Sequence, residues 1–332
     1  MKHTILGKSG LEVSQIAFGT WQLGGEWGPT DTGAAKDAIR RAADKGVTLF
    51  DTAQGYGFGR SEELLAAALE HLPRQEVVIA TKGGLRPEGA GVVRDAGAAW
   101  IRQGVETSLR ALDTDYIDLY QVHWPDPATP FEETAEALGK LVADGKILHV
   151  GVSNFDVDQM EVFSATLPVE TLQPPYHLFR REIEADVLPF TSTADIGVLV
   201  YGPLAHGLLS GHLTTDSVFD QGDWRSKSPV FHGESFERNL GAVDRLRELA
   251  HDELGVTLAQ MAVAWTLHNP AVHVAIVGTR NPSHIDELLA AADLVLDDEV
   301  VQRIDQIMID AVPVGGPSPE GNVGTYIKKG AR

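Results

Sequence analysis

Eight short apolar runs, separated by longer amphipathic segments, constrain this chain more than any other feature. They are "IAFG" (16–19), "TLFD" (48–51), "VVIATK" (77–82), "YIDLYQVH" (116–123), "ILHVGVS" (147–153), "TLQ" (171–173), "GVLVYG" (197–202) and "VAIVG" (274–278). The segments between them carry helical periodicity. Ile101, Val105, Leu109 and Leu112 repeat along one helical face, and Phe131, Ala135, Leu138, Leu141 and Val142 do the same before a stop at Gly145. "AKDAIRRAADKG" ends likewise at Gly46, and "VTLAQMAVAWTLHNP" stops at Asn269-Pro270. Strands alternating with helices predict parallel βα units, and eight is the number that closes a (β/α)8 TIM barrel in a chain of 332 residues. An open doubly wound α/β sheet is the structural rival. No GxGxxG follows the first run, so the dinucleotide fingerprint of that rival is missing.

Other stretches depart from the alternation. "HTIL" and "LEVS", on either side of a turn at Gly7–Gly10, predict an opening hairpin. Residues 211–235 read as a long loop after the seventh strand, before a helix starting near Phe236; loops of that length in compact folds are usually functional lids or disordered. The Gly- and Pro-rich end, "VPVGGPSPEGNVGTYIKKGAR", reads as a tail across the surface. No repeat or linker stands out, so residues 1–332 are expected to form a single barrel domain.

Composition narrows the function classes. With 43% hydrophobic and 22% charged residues the chain is globular in character. It has neither a secretory h-region nor the roughly 20-residue apolar stretch of a membrane helix, so a soluble cytoplasmic protein is the expectation. The absence of cysteine excludes disulfides and thiolate metal sites, and no metal site is read elsewhere. A formal net charge of -20 argues against a nucleic-acid partner, and an anionic ligand would need local cations to overcome it. Nothing in the sequence sets the oligomeric state.

In a barrel the active site lies at the C-terminal ends of the strands. The polar residues there are Asp51, Lys82, His123, Ser153, Asn154, Gln173 and Tyr201, with Tyr56 in the loop after the second strand. Each alone has a plainer reading: a turn, a surface lysine, a buried histidine. Together they form an acid–base set. Tyrosine ionises near pH 10 and is a poor proton donor at neutral pH unless a cation sits beside it. A lysine supplies that cation, a carboxylate holds the lysine, and a histidine offers a second hydrogen bond to a carbonyl oxygen becoming an alkoxide. That is what carbonyl reduction needs from side chains; the hydride has to come from a cofactor.

The stretches "LGKSGLEVSQIAFGTW", "FDTAQGYGFGRSEELL", "VVIATKGG", "IDLYQVHWPD", "GKILHVGVSNF" and "YGPLAHGLLSG" resemble, in order and spacing, the motifs of the aldo-keto reductase superfamily. The resemblance covers nearly the whole chain. It is strongest to a bacterial branch that includes inositol-dehydrogenase-like and general-stress reductases, and more distant to potassium-channel β subunits. It implies a catalytic tetrad of Asp51, Tyr56, Lys82 and His123, with Tyr56 the general acid in a reversible NADPH-dependent reduction of aldehydes and ketones. It implies that Ser153, Asn154 and Gln173 hold the nicotinamide carboxamide near Asp51 and that Tyr201 stacks on the ring. Gly202, Pro203 and Leu204, through Leu209 and Gly211, would wrap the pyrophosphate. Thr20 and Trp21 would border the ribose and the substrate pocket, and Trp21, Trp124 and Trp224 suggest an aromatic wall for a small carbonyl substrate.

The match loosens where the family reads the 2′-phosphate. In "VGTRNPSHIDEL", Val277, His284 and Leu288 stand where proline, glutamine and asparagine are usual, while Gly278, Thr279, Arg280 and Glu287 keep the pattern. Arg280, expected at the start of the eighth helix, is placed for a phosphate, with His284 able to add to the contact when protonated. Arg225 and Lys227 of the long loop are expected to close over the cofactor, which would answer the global negative charge locally. NADPH is therefore expected over NADH, with NADH still open. Two alternatives stand beside this reading: a Schiff-base lyase using Lys82, and an NADPH-binding redox-sensing subunit that turns over slowly.

Overall fold

Burial with a period of two explains the barrel. In the computed structural model, which describes residues 1–314 except 26 and 90, the eight runs form β1 (Ile16–Gly19), β2 (Leu49–Asp51), β3 (Val78–Gly83), β4 (Ile117–Val122), β5 (Ile147–Ser153), β6 (Thr171–Gln173), β7 (Gly197–Tyr201) and β8 (Val274–Val277). Every strand begins and ends within one residue of its apolar run. All pairings are parallel and follow chain order, with β8 closing on β1. Alternate residues separate into two cores. Ala17, Leu49, Ala80, Leu119, Leu199, Val274 and Ile276 fill the barrel interior. Phe18, Phe50, Ile79, Tyr120, Val198 and Val277 point outward into the core shared with the helices.

The helices that cover the barrel are α1 (Thr32–Asp44), α2 (Arg60–Leu69), α3 (Ala98–Ala111), α4 (Phe131–Ala143), α5 (Val157–Ser164), α6 (Val187–Thr193), α7 (Gly233–Glu248), α8 (Leu258–His268), α9 (Ile285–Ala290) and α10 (Asp298–Met308). Their starts are set by side-chain caps where the sequence supplies them. Asp156 and Thr257 form capping boxes with Gln159 and Gln260. No helix among the described residues is long and apolar enough to cross a membrane.

The expected hairpin (His3–Ile5 with Glu12–Ser14) closes the N-terminal end of the barrel, where Leu6 and Val13 join the interior core. Leu6 comes so near β7 that a Cβ at Gly197 would lie 2.7 Å from its backbone, so only glycine fits there. The other end of the barrel is left to its loops. A second hairpin, Leu85–Glu88 with Gly91–Arg94, stands between β3 and α3 and was not foreseen. The long loop after β7 is ordered around two single 3₁₀ turns, Trp224–Lys227 and Pro229–Phe231, before α7 begins at Gly233. After β8 the chain makes a 3₁₀ turn at Pro282–His284 and only then enters α9. Arg280 thus lies in the preceding loop rather than at a helix start. The expected C-terminal surface tail lies, beyond residue 314, outside the described residues.

Candidate active site

Strand parity delivers the polar residues to one place. Asp51 follows interior Leu49 by two residues, Lys82 follows Ala80 by two, His123 follows Leu119 by four and Tyr201 follows Leu199 by two. Each therefore points inward at the C-terminal end of its strand. Asp51, Lys82 and His123 are almost fully buried, and Tyr56 joins them from the loop after β2.

Lys82 is the hub. Its Nζ donates to Asp51 Oδ1 at 2.6 Å, to the Thr52 carbonyl at 2.9 Å and to Tyr56 Oη at 3.3 Å. Three donors and three acceptors match, so the ammonium needs no water. Asp51 Oδ2 accepts from Gln173 Nε2 at 2.7 Å, which fixes the carboxylate at both oxygens. The His123 ring stands edge-on to Tyr56, with centroids 5.7 Å apart. Thr20 is buried behind this group, its backbone and hydroxyl both donating to the Asp51 carbonyl.

Next to the tetrad lies a second hydrogen-bonded set. Ser153 Oγ donates to the Gln173 carbonyl at 2.8 Å, and Asn154 Nδ2 donates to the His123 carbonyl and to Ser153 Oγ, both at 3.0 Å. Tyr201 Oη donates to Asn154 Oδ1 at 2.9 Å. Asn154 itself takes a left-handed backbone (φ +63°), a conformation asparagine tolerates better than most residues. These groups face a cleft of about 350 Å³ that runs from Tyr56 and His123, past Gly202, Pro203 and Leu204, to Gly278, Thr279, Arg280, His284 and Glu287. Leu209 and Gly211 do not line it: Leu209 is buried in the core, and Gly211 lies beside Leu258 and Arg247.

The mouth is walled by aromatic rings. Trp224, from the long loop and outside the cleft lining, stacks on Trp21 with centroids 6.1 Å apart, and Trp27 and His206 meet both rings edge-on. Trp27, Gln22 and His206 line the cleft but were not singled out in the sequence, although Trp27 lies six residues after Trp21 and His206 sits inside "YGPLAHGLLSG". Trp124, expected in the wall, is buried off the cleft with the Arg94 guanidinium 4.8 Å above its ring.

The expected cations separate. Arg225 lines the cleft, but its guanidinium is bound to Asp223 at 2.6 Å and lies over the Trp27 and Phe219 rings. Lys227 is exposed and away from the cleft lining. Arg280 donates through Nη1 to the carbonyls of Trp27 and Pro29, both at 3.0 Å, and pairs with no carboxylate among the described residues. His284 packs between Thr279 and Asn281. Thus one end of the cleft presents amides, hydroxyls and a tyrosine ring, and the other an arginine that forms no ion pair among the described residues, with Glu287 also in the lining. This polarity fits a nicotinamide dinucleotide: a carboxamide at one end, phosphate at the other. No metal-binding cluster of His, Asp and Glu exists among the described residues.

The model of the aldo/keto reductase family matches residues 15–309. The aldo-keto reductase YhdN of Bacillus subtilis is 43% identical over 319 residues, spanning 95% of this chain and 96% of that protein. The solved structure of a glycerol dehydrogenase from Gluconobacter oxydans shares 40% identity at a TM-score of 0.84, over 93% of this chain and 95% of that one. An aldo-keto reductase from Klebsiella pneumoniae, solved in complex with NADPH, shares 30% identity at a TM-score of 0.73, again over 93% of this chain and 95% of the other.

Proposed function

This chain belongs to the aldo-keto reductase family and so to the NAD(P)-dependent oxidoreductases, and from that premise we propose that it reversibly reduces small aldehydes and ketones with NADPH, Tyr56 being the proton donor. The observation that carries the reading is the buried chain Asp51–Lys82–Tyr56, with Nζ 2.6 Å from the carboxylate and 3.3 Å from the phenol oxygen. A cation at that distance stabilises the phenolate left when Tyr56 gives up its proton. Asp51 aims the Lys82 ammonium at the phenol. An ammonium bound in this way has no free lone pair, which argues against Schiff-base chemistry on Lys82.

The substrate carbonyl oxygen would lie between Tyr56 Oη and the His123 ring, and receive the Tyr56 proton as charge builds on it. When bound, the reduced nicotinamide supplies the hydride to the carbonyl carbon. Ser153, Asn154 and Gln173 would hold its carboxamide, Tyr201 its ring, Gly202–Leu204 the pyrophosphate and Arg280 the 2′-phosphate. The choice of NADPH is supported by Arg280, which pairs with no carboxylate among the described residues, and by the NADPH complex of the Klebsiella relative. A place in the bacterial branch of inositol-dehydrogenase-like and general-stress reductases is part of this proposal, and the 43% identity to the Bacillus subtilis protein supports its bacterial side alone. With this goes one domain, working in the cytoplasm on diffusible carbonyl compounds.

The test is Tyr56→Phe, assayed by NADPH oxidation against a panel of aldehydes and ketones. The variant should lose on the order of 10²–10⁴-fold in kcat while its NADPH affinity, read by fluorescence titration, stays that of the parent. Retention of more than about half the parental kcat would remove Tyr56 from its role.

A further inference from the structure

Behind the tetrad, on the outer side of the barrel wall, a second polar cluster is shut off from solvent. The parity that sends Lys82 and His123 inward sends Thr81 and Tyr120 outward, toward α2 and α3. Glu62, in the first turn of α2, has no exposed surface, and Thr81 Oγ1 donates to its Oε1 at 2.7 Å. Burial pushes the Glu62 carboxyl above its ordinary range, against the opposing influence of Thr81, Ser108 and the Lys82 charge. Gln54, from the loop joining Asp51 to Tyr56, reaches the same place. A Cβ on Gly104 of α3 would lie 3.0 Å from Tyr120 Oη and 3.1 Å from Gln54 Oε1, and one on Gly83 would lie 1.8 Å from Tyr120 Oη. Two glycines therefore clear the space that the phenol occupies. Gln54 Oε1, Glu62 Oε2 and Tyr120 Oη, all buried, have no further hydrogen-bond partner among the described residues.

Each segment that carries a tetrad side chain sends one group into this cluster: Gln54 beside Tyr56, Thr81 beside Lys82, and Tyr120 three residues before His123. We propose that Glu62 is a positioning residue for the tetrad, tying β3 to α2 through Thr81 so that Lys82 keeps its register against the loop that carries Tyr56. The inference rests on the reading that Tyr56 and Lys82 act together. The Lys82–Tyr56 contact, at 3.3 Å, is the longest of the three that Lys82 makes, so it is the one a small slip of β3 against the β2 loop would break. The Glu62 carboxyl accepts from Thr81 through Oε1. Glutamine keeps that acceptor and alanine does not.

Glu62→Gln, Glu62→Ala and Thr81→Val test the proposal, with Tyr56→Phe in parallel, each measured for kcat with the best aldehyde of the panel, for NADPH affinity and for thermal midpoint. Glu62→Ala and Thr81→Val should lower kcat by about tenfold to 10²-fold, the range in which small misplacements of reacting groups are felt. NADPH affinity should change by less than about twofold, and Glu62→Gln should stay within about threefold of the parent kcat. If Glu62→Ala does not fold, Thr81→Val decides by the same criterion. An unimpaired kcat in Thr81→Val or in folded Glu62→Ala overturns the proposal, whatever the thermal midpoint. So does a Glu62→Gln variant as impaired as Glu62→Ala. If Tyr56→Phe is inactive in those cases, only the role of Glu62 falls; an active Tyr56→Phe overturns the tetrad reading and this inference together.

Discussion

Lys82→Met removes one charge from the centre of the site and little volume, because methionine is a straight side chain of similar reach. The structure sets the cost. The Lys82 and Asp51 side chains are 1% and 4% exposed, so solvent cannot take over the role of the missing partner. Asp51 Oδ1 loses its donor, while Oδ2 keeps the 2.7 Å bond from Gln173. Breaking a buried pair by deleting one member costs about 3–5 kcal/mol. The retained Gln173 bond places this case near the lower end, about 3 kcal/mol. Urea unfolding at pH 7 should report that loss as a lower midpoint with an unchanged slope. The double variant Asp51→Asn/Lys82→Met leaves no orphan charge and should recover more than half of it. Both variants should be nearly inactive, since the phenolate of Tyr56 has lost its cation. A loss below about 1 kcal/mol, with no recovery in the double variant, would refute the buried ion pair.

Two further outcomes follow from the same geometry. Arg280→Ala should weaken NADPH by roughly 10- to 150-fold, the worth of a charge-assisted contact of about 1.5–3 kcal/mol, and leave NADH nearly unchanged. Because Arg280 also ties the carbonyls of Trp27 and Pro29, KM for the carbonyl substrate should rise as well, which steady-state kinetics at saturating cofactor will read. His177 is fully buried beside His206, neither ring nitrogen has a hydrogen-bond partner among the described residues, and burial holds its pKa well below the ordinary value. The unfolded chain therefore binds a proton near pH 6.5 that the folded protein refuses. Stability is full above that pH and falls as pH drops toward the folded value, by up to about 1.4 kcal/mol per pH unit. His177→Phe should flatten the fall in unfolding midpoint between pH 7 and 5; an unchanged slope would place the titration elsewhere.

The barrel and the meeting of Asp51, Tyr56, Lys82 and His123 at one end of it were legible in the sequence because both depend on relations only a few residues long. A strand packed on both faces must stay apolar until it leaves the sheet, so the runs mark the strands to within one residue. The period of two then determines which polar residue at a strand end faces inward, and Asp51, Lys82, His123 and Tyr201 obey it. Glycine stops announced the ends of helices such as α4 for the same local reason. The stretch that forms the second hairpin carried no such pattern and was not foreseen.

What the loops do depends on where the closed barrel brings them. Arg280 read as an anion site at a helix start, yet its guanidinium is bound to carbonyls of residues 253 and 251 positions earlier in the chain. Arg225 and Lys227 looked equivalent in sequence; one is held by Asp223 against Trp27 and the other faces solvent. Trp124, adjacent to His123, turns under Arg94, while Trp27 and His206 take the wall. The Glu62 cluster draws one side chain from each of several elements and has no signature in any of them. Local pattern can set which side of a strand a residue occupies. Which loops meet at the mouth is decided by the curvature of eight paired strands and by the packing of large rings that become neighbours only once the barrel has closed.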